Sequence, residues 1–164
     1  MKYIINALTA CFLVIFAAPV LALTNGESAP AFELPGDSAP VKLSNLKGKV
    51  VYVDFWASWC GPCKQSFPWL NEMQSKYAAK GFQVVGINVD ANTADAKTFL
   101  AGLPAKFTVA YDEKGVTPKS YGIKGMPSSV LLDGNGKVIL QHTGFRDADR
   151  AELEKSIQQA LASK

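Results

Sequence analysis

Seven residues, Val50-Val51-Tyr52-Val53-Asp54-Phe55-Trp56, run almost without polar interruption into Ala57-Ser58 and then Trp59-Cys60-Gly61-Pro62-Cys63. An apolar run of this length reads as a strand buried on both faces, which requires covering layers on both sides. The next run of the same kind, Phe82–Val89, lies beyond a stretch of helical spacing, Gly61 to Lys80. Strand, helix and strand in that order, with both strands buried, restrict the chain to an α/β architecture with parallel pairing at its centre.

The remaining elements follow from the same periodicities. Within 61–80, Phe67, Leu70, Met73, Gln74 and Tyr77 give a core-facing stripe, and Pro68 predicts a kink. Ala94–Leu103 is a second amphipathic helix, with Asn92 or Thr93 as its cap. Phe107–Tyr111 is a strand and Val116–Tyr121 a short helix. Ser129–Leu132 and Val138–His142 form a hairpin across Asp133-Gly134-Asn135-Gly136. The last helix runs from about Ala148 to Ala162, and short strands are expected at Phe32–Leu34 and Val41–Leu43. These elements predict a mostly parallel sheet covered on both faces and finished by an antiparallel hairpin, with no internal repeat and no second domain.

The first 22 residues have a different character. Lys2 precedes an almost wholly apolar stretch from Tyr3 to Leu23, and Val20-Leu21-Ala22 has the small residues of a signal-peptidase site. Two other readings stay open: an uncleaved anchor, since about 20 residues span a bilayer, and a lipoprotein box at Leu8-Thr9-Ala10-Cys11. Each places the domain outside the cytoplasm. Cleavage removes 22 of 164 residues, including Lys2 and Cys11, leaving 142 residues, two of the three cysteines and a net charge of +2 in place of +3. So mild a charge, scattered along the chain, gives no footprint for nucleic acid.

The chemistry of the mature chain concentrates at Cys60 and Cys63. Residues three apart on the first turn of a helix are neighbours, so these thiols can close a small disulfide ring with little backbone movement. Cys60 would sit at the helix N-terminus, where unpaired N–H groups and the macrodipole favour a thiolate. Pro62 falls just inside the helix, where its missing N–H costs little. The thiolate at the exposed end attacks and the second thiol resolves the mixed disulfide. Haem attachment would need His after the second Cys, where Lys64 stands, and structural zinc needs four ligands. A purely structural bridge is the remaining alternative, although so small a ring restrains little chain entropy.

Val53 to Lys64 resembles the active-site segment of thioredoxin, Pro68 matches that family's helix proline, and Tyr121-Gly122-Ile123-Lys124-Gly125-Met126-Pro127 resembles its cis-proline loop. The lead-in from Ala29 to Lys49 and the helix and strand between Asn92 and Tyr111 resemble the exported TlpA/ResA-type thioredoxin-like oxidoreductases of bacteria. The resemblance covers roughly Ala29 to Ala162. It implies a thioredoxin fold with a central mixed sheet, an N-terminal β extension and an inserted helix–strand. It further implies Cys60 as nucleophile, Cys63 as resolving thiol and Asp54 as a buried carboxylate beneath them, raised by desolvation toward general-base range. Trp59, Gly61, Pro62, Met126 and Pro127 would form the substrate-contacting surface, with Trp56 flanking it or serving the core.

Two positions depart from the family pattern. Gly86 stands where thioredoxin has a lysine near the buried acid, and Ser66 stands where the ResA type has a glutamate. The Gly61-Pro62 insert also differs from that type, so a dedicated role in cytochrome c maturation does not follow. The expected function is a monomeric cell-envelope oxidoreductase acting as a reductant on disulfides of exported proteins. It needs no cofactor or resident metal and is supplied with electrons by a membrane-embedded thiol reductase. The rivals are a disulfide oxidase or isomerase of the same fold, a peroxidase, whose upstream pattern Trp56-Ala57-Ser58-Trp59 does not supply, and a Cu(I) carrier using the two thiols with His142. His142 by itself reads as a structural or surface residue, and Asp147, Asp149 and Glu152 as a helix-start cluster.

Overall fold

The computed structural model describes residues 23–163, so the expectations for the export segment and Cys11 lie outside the described residues. The chain builds two sheets. Strands β1 (Glu33–Leu34) and β2 (Val41–Lys42) form a small antiparallel pair. The central sheet contains β3 (Val50–Trp56), β4 (Phe82–Asn88), β5 (Thr108–Tyr111), β6 (Ser128–Leu132) and β7 (Val138–Thr143), in the order β5-β4-β3-β6-β7. The helices are α1 (Gly61–Tyr77), α2 (Thr93–Gly102), α3 (Val116–Ser120) and α4 (Arg150–Ala162).

The mostly parallel sheet expected from periodicity is corrected, and the central mixed sheet that the resemblance implies is found. β3/β4 and β4/β5 are parallel, but β3/β6 and β6/β7 are antiparallel, so the two modes contribute equally. The hairpin does not extend the sheet beyond β5. It docks on the other side of β3, leaving the strand that leads to the cysteines in the middle, buried at every residue.

Both faces are covered, each by different elements. Val50, Tyr52 and Trp56 point toward α1, α2 and α4, with Phe67, Leu70, Ile157 and Phe99 packed over them. Trp56 lies at the centre of an aromatic group, its ring 5.0 Å from Phe67 and 5.1 Å from Phe99. Val51, Val53 and Phe55 face the opposite way, onto Phe32 and Tyr121 from the lead-in and the α3 region. The lead-in is therefore part of the core: Tyr121 donates its hydroxyl to the Pro30 carbonyl at 2.8 Å.

Element ends differ from expectation for local reasons. Helix α1 stops at Tyr77 and tightens into a 3-10 turn, Ala78–Lys80, closed by Gly81 in the left-handed region at φ 86°, a conformation that a Cβ disfavours. Leu43 is not in β2 but opens a 3-10 turn, Leu43–Leu46, whose spacing turns both leucines toward the core cluster of Phe32 and Tyr121. Asp147–Asp149 likewise forms a 3-10 turn before α4. Asn92 caps α2, accepting the Ala94 N–H at 3.0 Å. Among the described residues no helix is long and apolar enough to cross a membrane.

Candidate active site

Strand β3 and helix α1 together place the cysteines. The strand ends at Trp56, a short turn follows, and the Cys60 N–H donates to the Ala57 carbonyl at 3.1 Å. Cys60 is then the N-cap of α1: its backbone is extended, and its Sγ accepts the Cys63 N–H at 3.2 Å. Sulfur thus takes the part usually played by Ser or Asp oxygen at a helix start. Pro62, the second helical residue, has no N–H to leave unpaired. Cys60 and Cys63 are joined as a disulfide with Cα atoms 5.3 Å apart.

The pair is set into the surface rather than projecting from it. Cys63 is fully buried and Cys60 only 4% exposed, so the nucleophile expected at the open end is nearly covered in this oxidised form. Trp59, by contrast, is 72% exposed beside it, with Gly61 and Pro62 exposed on the other side. The Met126–Pro127 peptide is cis and lies immediately before β6, the antiparallel neighbour of β3. Met126 packs against both core clusters at this end of the sheet.

Asp54 sits on the same face of β3 as Tyr52 and Trp56, within the layer that α1 and its cysteines cover. It is 3% exposed, and its Oδ2 has no hydrogen-bond partner among the described residues. Burial alone raises its pKa well above the ordinary carboxylate range, because the charged form loses hydration and gains no compensating donor. The register explains the missing lysine. Gly86 lies opposite Asp54 on β4, and a Cβ there would come within 2.8 Å of Phe107 Cε2 and 3.1 Å of Trp56 Nε1. The room a cationic side chain would need is filled by two aromatic rings.

Two residues that shape the site were not singled out in the sequence. Asp90 is buried and accepts the Ser58 N–H with both oxygens, at 3.2 and 3.0 Å, while the Asn88 side-chain amide donates to it at 2.8 Å. Asn88 in turn accepts the Asp90 N–H at 3.1 Å. This buried pair fixes the turn two residues before Cys60. Its signal in the sequence was an acid just past the carboxyl end of a buried parallel strand, where α/β sheets place their sites.

Other expectations separate from the site. His142 lies on β7 with its Nε2 3.4 Å from Asp149 Oδ2, and Asp147 and Asp149 pair with Arg150 and Arg146 around the start of α4. No three or more His, Cys, Asp or Glu side chains among the described residues are placed to hold a metal ion. His142 is therefore not gathered with the two cysteines into a ligand set.

Comparisons with known proteins agree with this geometry. Residues 24–157 match the Redoxin family. The chain is 34% identical over 128 residues to the thiol-disulfide oxidoreductase ResA of Bacillus thuringiensis subsp. konkukian, covering 77% of this chain and 74% of that protein. It is 30% identical to ResA of Bacillus subtilis, covering 74% and 69%. Among solved structures, it superposes with a TM-score of 0.85 and 64% identity on a candidate thiol:disulfide interchange protein DsbE from Chlorobium tepidum, covering 85% of this chain and 99% of that one. The chain belongs to the Redoxin family, has a thioredoxin-like fold and is a thiol–disulfide oxidoreductase of the ResA/DsbE type.

Proposed function

We propose that the protein works in the bacterial cell envelope as a reductant of disulfides in exported proteins, through a mixed disulfide on Cys60. The observation that carries this reading is the asymmetric pair at the start of α1: Cys60 is the helix N-cap beside the exposed Trp59 and keeps 4% of its surface, whereas Cys63 lies inside the first turn and keeps none. In the reduced protein the first-turn N–H groups and the macrodipole stabilise a Cys60 thiolate. That thiolate attacks a substrate disulfide, and one substrate thiolate leaves. Asp54 then takes the proton of Cys63, and the Cys63 thiolate attacks Cys60 Sγ and releases the second substrate sulfur.

Trp59, Gly61, Pro62, Met126 and Pro127 are the contact surface in this reading, an extended substrate segment pairing with the Met126 backbone. The apolar segment ending at Ala22 supports export, and a reductant outside the cytoplasm implies a membrane-embedded thiol reductase that restores the dithiol. The chain acts as a monomer.

Serine at Cys60 should abolish insulin reduction, whereas Cys63→Ser should accumulate mixed disulfides when exposed to cell-envelope proteins. Glutathione equilibration tests the direction. The Gly-Pro insert resembles thioredoxin's, so a potential near about −270 mV is expected, and one near about −120 mV would make the protein an oxidant.

A further inference from the structure

If Asp54 takes the Cys63 proton, as the proposed mechanism requires, it must return that proton to solvent in every cycle, and among the described residues the sheet offers it a polar way out. The sheet register sets Val109, Gly86, Asp54, Ser129 and His142 side by side across β5, β4, β3, β6 and β7. Directly paired residues point to the same face, with Cβ atoms about 4.5–5.5 Å apart in such antiparallel pairs. Toward β4 the row is closed, since the Trp56 and Phe107 rings fill the space at Gly86. Toward β6 and β7 it is polar throughout.

Tyr52, one pleat along β3 on the same face, has its hydroxyl 2.7 Å from Ser129 Oγ in a buried contact in which either oxygen can donate. Burial chiefly raises the Tyr52 pKa, the Asp54 and Asp149 carboxylates raise it further, and the hydrogen bond to Ser129 opposes them. Beyond Ser129, His142 lies next to Asp149, whose other oxygen meets the exposed Arg146 at 3.1 Å. The row therefore begins at a buried carboxyl and ends at a charged corner where Arg146 is exposed.

We infer that Ser129, held in place by the Tyr52 hydroxyl, passes the proton of Asp54 toward His142 and solvent, with Tyr52 as a positioning residue. The titratable groups packed around the row are the Cys60–Cys63 pair, which shares a core cluster with Tyr52, and Asp149 ahead of α4, which meets His142 and is paired with Arg146; Gly86 leaves β4 with none. In the resolving step the Cys63 S–H proton passes to the Asp54 carboxylate. The Cys63 thiolate forms the bond to Cys60 Sγ while the bond from Cys60 to substrate breaks. The electron pair leaves on the substrate sulfur, which takes a proton from water. Two electrons pass from the dithiol to the substrate disulfide, and the carboxylic acid is left to unload. The Ser129 hydroxyl can swing from Tyr52 toward Asp54 by rotation about its single χ1, accept that proton, and release its own toward His142 and solvent.

The test is stopped-flow kinetics of the full chain turning over a model disulfide with excess dithiol, in which resolution in every cycle after the first waits on an unloaded Asp54, with attack and resolution separated in H2O and D2O. Tyr52→Phe and Ser129→Ala are each measured alone and together with Asp54→Asn, and His142→Ala is measured with and without added imidazole. Attack by Cys60 should be unchanged, which separates this inference from the nucleophile assignment. Resolution should slow by about tenfold, a fraction of what a positioned proton acceptor contributes, with a larger solvent isotope effect. Ser129→Thr and added imidazole should each restore it, and none of the changes should slow Asp54→Asn further. Tyr52→Phe keeps the ring that packs on Trp69, so it reads the hydroxyl without disturbing the fold. Resolution at the wild-type rate in both Tyr52→Phe and Ser129→Ala, beside a slow Asp54→Asn, would overturn the route and leave the role of Asp54 standing. Equal slowing in the Asp54→Asn background would overturn it too, and wild-type resolution by Asp54→Asn itself would remove both.

Discussion

Asp54→Asn should make the protein more stable as the pH rises and slower at its chemistry. The carboxyl is 3% exposed with an unpartnered oxygen, and burial raises its pKa. Below the unfolded carboxylate range both states hold the proton, so Asp54 adds no pH dependence there. As pH rises through that range the unfolded chain releases the proton while the folded one keeps it, and wild-type stability falls until the raised folded pKa is passed. The slope of this loss is about 1.4 kcal/mol per pH unit for one proton. Asparagine has the same shape and does not titrate, so the stability difference between variant and wild type should widen by that slope. Over two units inside the window this is about 2.7 kcal/mol, or roughly 9 °C in Tm for a domain near 140 residues. The assay is urea and thermal unfolding of both oxidised proteins from pH 3 to 9. Parallel stability curves across this range would show that Asp54 is solvated or paired, and the desolvation reasoning would fail.

Three further outcomes are expected. Asp90→Ala removes the acceptor for the Ser58 N–H and the Asn88 amide, leaves both donors without a partner, and should cost about 2–5 kcal/mol in urea unfolding. Gly86→Ala should destabilise by about 1–3 kcal/mol, since its Cβ has no room beside Phe107 and Trp56, and a second change, Phe107→Leu, should recover part of the loss. Trp59→Ala should change unfolding by less than about 0.5 kcal/mol, because the side chain is 72% exposed, yet raise KM for a protein disulfide with little effect on a small one.

Much of the site could be read from neighbours in sequence. The spacing of Cys60 and Cys63, the proline at the second helical position and the buried run ahead of them are local features, and local backbone physics places them at a strand–helix junction. Asp54 was legible because an acid inside an apolar strand is costly wherever the strand goes. The clamp formed by Asn88 and Asp90 was less so, because those residues come from a different strand and act only where β4 lies against β3. The position of the hairpin was not legible either. Its turn signals specify that β6 and β7 pair, but which edge they join depends on the apolar faces that must be covered.

The sequence by itself determined the reactive pair, the alternation of strands and helices, and the burial of an acid in the strand that leads to the thiols, because each follows from periodicity or from contacts a few residues apart. Tertiary structure decided what surrounds that acid. Register alone puts Gly86 on one side of Asp54 and Ser129 with His142 on the other. Strand partners are chosen by packing over the whole sheet, and a shift of one residue would turn each of these side chains to the opposite face.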